Sequence, residues 1–404
     1  MLEMYNVPIT VTTAASRSFF DRLCDPFFSA FRVLGMCPYT RNRNGVFRKK
    51  IVSASAVYTL LTGVVCGYLT VRVIKARFQL PPPVPMSDFN CLLMGFSYIT
   101  FFSPSLVVPI LMWFETSKLQ AYLHEWQVFQ ENYNRVIGRS DEAVTLVERR
   151  VNGIFRSILA LLSIVGVTFA WTSALNDVPA LVCAMKSIST VALITGFWSV
   201  GTKAIAIINE NYRKKLQMET GALHAHQIED YRLLWIRTSG LVRESGDHMP
   251  ATMTFCVLYT AAAVTLSVYV LAVWGVTLVA LARYEELALV GAVLVGNAAS
   301  LYVYCDCGHS RSGNCVDNVV FLILKMKSSM TWQKSNYIQI TLFLNAVNQY
   351  PPKVNVLGFY EINRGLFGSI LSLLVTYLIV LVQLNSSFAP APSSNGFNNN
   401  NTLT

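Results

Sequence analysis

Seven apolar runs divide this chain: Ile51 to Val71, Phe89 to Phe114, Ile154 to Ala174, Ile188 to Ile208, Ala251 to Ala280, Leu287 to Tyr304 and Gly365 to Leu384. Each is long enough to cross a hydrocarbon core of roughly 30 Å as a helix. The last run differs from the others in its polar positions. Ser369, Ser372, Thr376, Gln383 and Ser387 recur at offsets of 3, 4, 7 and 4, with Val380 in the gap. That spacing places all six on one helical face. Hydrocarbon offers no hydrogen-bond partners, so a polar stripe in a membrane helix is expected to face protein or water. One stripe cannot enclose a conduit, but several copies around a symmetry axis can.

Composition and charge sharpen this pattern. At 404 residues, 53% hydrophobic and 13% charged, the chain is too apolar for an ordinary soluble protein. Lys and Arg are distributed 8, 5, 6 and 6 over one alternating set of connections and 3, 1, 1 and 0 over the other. The positive-inside bias predicts a cytoplasmic N-terminus and an extracellular C-terminus. The expected fold is therefore an all-α membrane protein of seven transmembrane helices with long cytoplasmic helical extensions. Its expected divisions are a cytoplasmic segment (1–50), a six-helix ligand-binding bundle (51–304), cytoplasmic anchor helices (305–363), a seventh, pore-lining helix (364–384) and a disordered extracellular tail (385–404). The net charge of +10 then faces anionic lipid and calls for no nucleic acid. A G-protein-coupled receptor would have the opposite orientation, and no paired halves of a secondary transporter are visible.

The long connections read as helices. Thr116 to Asn134 continues the second run and Asn209 to Gln227 the fourth. Val319 to Leu324 and Tyr337 to Val347 are further apolar stretches, expected to pack against each other or against other subunits. Pro104 and Pro109 are expected to kink the second run. Cys305, Cys307, His309 and Cys315 suggest zinc, but the C-x-C step is tight and a reduced loop is the expectation. Cys91 and Cys183 share a predicted side of the membrane, which leaves a disulfide open. His224 and His226 stand in a polar stretch without a nucleophile motif, and no cofactor or catalytic motif is present. Asn400 heads a glycosylation pattern in the tail.

Gly358-Phe359-Tyr360, then Ile362 and Asn363, lead into Thr376-Tyr377, five apolar residues and Gln383. This resembles the signature of insect gustatory receptors, over roughly residues 336 to 384. Leu384, where that family usually has Phe, looks like the odorant-receptor co-receptor of the same superfamily, and Leu378 departs from the sweet-taste branch. The resemblance implies a tetrameric, ligand-gated, non-selective cation channel, homomeric or shared with related receptors, in the plasma membrane of chemosensory neurons. It implies that the last helix lines the pore, with Val380 as the constriction and Gln383 and Thr376 beside it, while Tyr377 packs against neighbouring helices. A dewetting Val ring and an uncharged Gln ring favour weak selectivity. A sugar-like or bitter tastant would bind the outer bundle. Candidates there are Tyr98, Thr100, Trp171, Thr172, Thr195, Trp198, Tyr269, Trp274 and Asn297, although interfacial aromatics commonly serve as anchors.

Overall fold

The computed structural model describes residues 19–36, 40–41, 47–48, 54–79, 88–138, 141–172, 178–219, 223–280, 282, 284–329 and 334–387. Ten helices dominate them: α1 (Phe19–Val33), α2 (Ala54–Gln79), α3 (Asp88–Val136), α4 (Asp141–Thr172), α5 (Val178–Glu219), α6 (Ala225–Asp247), α7 (Pro250–Ala280), α8 (Tyr284–Ser329), α9 (Lys334–Gln349) and α10 (Arg364–Ser387). Two short antiparallel hairpins complete them, β1 (Thr40–Arg41) with β2 (Phe47–Arg48) and β3 (Asn355–Val356) with β4 (Tyr360–Glu361). The chain is an all-α membrane protein.

Among the described residues six helices are long and apolar enough to cross a membrane, in α2, α3, α5, α7, α8 and α10. The third apolar run forms the second half of α4, but its side chains from Ile164 onward lie outside the described residues. Three helices run far past a bilayer. The 49 residues of α3 reach about 73 Å at 1.5 Å each. Pro104 and Pro109 both lie inside α3. Proline cannot donate to the carbonyl four residues back. Ser103 Oγ donates to Thr100 O at 2.7 Å, filling the acceptor that Pro104 leaves open, so the helix survives in lipid.

The extensions of α3, α5 and α8 enclose one large core with α1, α6 and α9. The sequence shows no core belonging to these helices, and the structure supplies one. Aromatic side chains build it. Phe20 of α1 stacks on Trp126 of α3 at 4.3 Å, and Phe27 and Phe31 meet Phe197 of α5 edge-on. Trp235 and Tyr231 of α6 and Phe343 and Val347 of α9 are buried in the same cluster. The apolar face of α1 was missed because the segment around it is Arg-rich and too short to span. The expected extension of the fourth run stops at Glu219, and α6 is a separate helix. Cys305 and Cys307 lie within the continuous α8. They are buried thiols in a helix, where a loop was expected. No metal-holding group of three His, Cys, Asp or Glu occurs among the described residues. Cys91 and Cys183 are free thiols, one exposed and one buried.

Candidate pore helix and the groups that hold it

The β3–β4 hairpin gives the Gly-Phe-Tyr motif a physical reason. Leu357 and Gly358 both take positive φ, 54° and 70°, which closes a two-strand turn with strand-matched twist. Glycine is the residue that adopts this conformation without strain. The hairpin base is buried through Val354, Val356 and Ile362. It sits in two notches. A Cβ on Gly246 of α6 would stand 2.0 Å from Asn355 O, and one on Gly308 of α8 would stand 2.3 Å from Ile362 O. Tyr360 Oη and Thr254 Oγ1 of α7 share a hydrogen bond at 3.0 Å. The segment leading into α10 is thereby keyed to α6, α7 and α8.

Asn363 caps α10, its Oδ1 accepting from Leu366 N at 2.9 Å. Arg364 forks onto Asp306 of α8, with both Nε and Nη2 donating to Oδ1 at 2.9 and 2.7 Å. Above that clamp only Leu366, Phe367 and Ile370 pack on the core, with Phe367 edge-on to Tyr302 of α8. Leu374, Leu378 and Leu381 continue this half-buried face, while Ser369, Ser372, Thr376, Val380, Gln383 and Ser387 are exposed on another. At 100° per residue the two faces lie more than about 120° apart. The stripe therefore turns away from its own subunit. Ser369, Thr376 and Ser387 hydroxyls donate to carbonyls four residues back, so these side chains remain satisfied without a partner. Tyr377 is 55% exposed. Within one chain it does not pack into the bundle, because only the base of α10 reaches the core.

Two of the ligand candidates, Trp198 and Thr195, meet at Tyr304 of α8, and the others have different partners. Trp198 is fully buried, donates Nε1–H to Tyr304 O at 3.3 Å and lies 3.8 Å beneath the Arg311 guanidinium. Thr195 pairs with the Tyr304 hydroxyl. Tyr269 donates its hydroxyl to Asn90 Oδ1 at 3.0 Å. Asn297 donates Nδ2–H to Val293 O in its own helix. Tyr98 stacks on Phe102, and Trp274 is half-buried. The side chains of Trp171 and Thr172, and all of Asn400, lie outside the described residues. The apolar run read as starting at Ile188 begins at Val178 in the structure. Trp198 is thus twenty residues from the start of α5, near the middle of its 42 residues, about 30 Å along it.

Three buried polar groups escaped sequence reading. Arg311 of α8 donates to Thr202 Oγ1 and Ser245 Oγ, both at 2.9 Å, and to Trp198 O. It ties α5, α6 and α8 together. His248, between α6 and α7, stacks on Tyr122 of α3 at 4.4 Å and lies nearly parallel to Trp198 at 6.5 Å. Its ring nitrogens have no partner at hydrogen-bonding geometry among the described residues, although the backbone of Glu244 and Ser245 acts on the ring. Burial, aided by the Arg311 charge, pushes its imidazole down to about 3, so it stays neutral. Glu115 of α3 caps the start of α7, accepting from Ala251 N, from Thr252 N at 3.1 Å and from Thr252 Oγ1 at 2.6 Å. A carboxylate at a helix N-terminus is favoured by the helix dipole. None of the three stands out by spacing, since each partner set is assembled from distant parts of the chain.

A keyed, mostly uncovered last helix on a buried helical scaffold, with six helices able to span, describes a multi-pass membrane protein. The profile of the 7tm chemosensory receptor family matches residues 25–387, and the chain belongs to that family. It is 28% identical over 381 residues to gustatory and odorant receptor 24 of Anopheles gambiae, covering 91% of this chain and 79% of that protein. It is 21% identical over 388 residues to gustatory and odorant receptor 22 of the same mosquito, covering 91% and 79%. The fold matches the solved insect olfactory receptor OR5 from Machilis hrabei at a TM-score of 0.65 and 12% identity, over 89% of this chain and 97% of that one. The same receptor in complex with eugenol matches at 0.58 and 14% identity, over 91% and 98%.

Proposed function

We propose that this chain is a gustatory receptor that works as a tastant-gated, non-selective cation channel, with no catalytic role. The observation that carries the reading is the state of α10. None of its apolar stretch is buried within the chain, and its polar stripe faces away from its own bundle. Four copies arranged N-terminus inside, stripes inward, would cover that face and line a conduit. Val380 then forms the dewetting gate, with Gln383 toward the extracellular mouth and Thr376 below. The hairpin keyed into α6, α7 and α8 gives movement in the bundle a mechanical route to α10. A ligand that prefers the open arrangement shifts the population toward it. The membrane is that of chemosensory neurons, and the bound compound is a small molecule, sugar-like or bitter. The odorant-type reading, a subunit that needs a related partner, is supported by Leu384 and by relatives named as both gustatory and odorant receptors.

Whole-cell recording from cells expressing only this chain, with G-protein signalling blocked, tests the proposal across sugars and bitter compounds. A ligand-evoked current reversing near zero potential is expected. Ligand-evoked signalling that vanishes with the G-protein block would replace the channel with a metabotropic receptor, and current only on co-expression would establish the odorant-type subunit.

A further inference from the structure

Lys186 lies eight residues inside α5, about 12 Å from its start, within a helix apolar enough to span. It is 8% exposed. Its Nζ donates to Cys66 Sγ of α2 at 3.3 Å, its one partner among the described residues. An ammonium carries three N–H donors, and a thiol sulfur is a weak acceptor. At least two donors are therefore left open in an apolar setting, where a charge without a counter-charge is costly. The neighbouring stretches of α2, α3 and α5 offer none. Across α2, between Phe89 and Phe114 of α3, and between Val178 and Asn209 of α5, the sequence contains no Asp or Glu. The other polar groups there are engaged: Thr70 Oγ1 with Cys183 Sγ at 3.6 Å and Ser187 Oγ with Phe102 O at 3.4 Å. Around them stand Leu69, Val73, Phe101 and Phe102, packed with Cys183.

We propose that Lys186 anchors the carboxylate of a small amphiphilic acid in the wedge between α2, α3 and α5. The ammonium supplies the charge and the open donors, the carboxylate supplies the missing acceptors, and the aliphatic and aromatic side chains take the hydrocarbon tail. Binding displaces the Lys186–Cys66 contact, drawing α5 away from α2, and Tyr98 stacked on Phe102 borders the tail. This assigns a ligand class to the receptor reading above, but it needs only that the chain binds small molecules, not that it conducts.

The test uses the full chain in phosphatidylcholine nanodiscs, radiolabelled hexanoate as probe, and empty nanodiscs to subtract partitioning. Saturable binding that hexan-1-ol does not displace is expected. Lys186→Met should weaken it by at least about tenfold, the loss of one charge-assisted contact. Because this variant removes an uncompensated charge, it should also raise the unfolding temperature of the unliganded protein, and hexanoate should stabilise the wild type alone. Absence of saturable binding, equal binding by Lys186→Met, or a Lys186→Met variant less stable than wild type would each overturn the site. Binding is read without current, so a silent receptor leaves it standing, and a conducting receptor that ignores hexanoate removes this inference alone.

Discussion

Helices α5 and α10 are both apolar enough to span a membrane, and the chain treats them in opposite ways. In α5, 67% of the apolar stretch is buried inside the molecule, and in α10 none is. Helix α5 touches α1, α2, α3, α4, α6 and α8 and carries Lys186, Thr202 and Trp198 on its buried faces. Helix α10 is fastened at its base by Asn363, Arg364 and the hairpin, and above that only one face, through Leu374, Leu378 and Leu381, is half-buried. One helix is completed by its own chain. The other is finished by lipid on one side and, in the proposed assembly, by its copies on the other.

Substitutions sharpen that contrast. The largest loss of stability is expected at the α5–α8 junction. Arg311→Ala removes donors from Thr202, Ser245 and Trp198 at once and leaves a cavity, costing about 3 to 5 kcal/mol. Most of the protein should then be lost from the monodisperse peak in fluorescence-detected size exclusion. Gly246→Ala comes next, because its Cβ would meet Asn355 O at 2.0 Å. Displacing the hairpin should cost about 1 to 3 kcal/mol, lower the unfolding temperature and blunt ligand-evoked current in whatever protein reaches the surface.

Acid should act through His248. Its folded value of about 3 lies below the ordinary value near 6.5, so the unfolded chain takes up the proton first. Above about pH 6.5 the residue makes no difference to pH sensitivity. As pH falls from there toward 3 the folded state should lose up to about 1.4 kcal/mol per pH unit. His248→Phe should flatten that slope in thermal unfolding measured across pH. The smallest effect on stability belongs to α10. Val380→Ala lies on an exposed face and should change stability by less than about 0.5 kcal/mol. Ligand-independent current should nevertheless rise in patch-clamp recordings at equal surface expression. A Val380→Ala loss as large as that of Arg311→Ala would erase the distinction between the two helices.

The same contrast decided what the sequence could reveal. The stripe of α10 was legible because its spacing is local; the hairpin was not, since its residues fall within the 305–363 segment expected to be helical. Extension of α3 beyond the bilayer followed from an unbroken run with few helix breakers. The interior of the bundle was not legible. Lys186 falls just before the apolar run that begins at Ile188 in the sequence, although it lies inside α5. The α1 helix hid its phenylalanines in an Arg-rich segment. Arg311, His248 and Glu115 have partners contributed by helices far apart in sequence, and no periodicity predicts such meetings.

The central claim, that the stripe of α10 faces the conduit, is tested most directly by single cysteines on its two faces. Gln383→Cys lies on the stripe and Leu378→Cys on the half-buried face toward the bundle. A charged, water-soluble methanethiosulfonate applied during ligand-evoked current should block the first irreversibly and leave the second and the wild type unchanged. Block at Leu378→Cys with none at Gln383→Cys would turn the helix around and contradict the account.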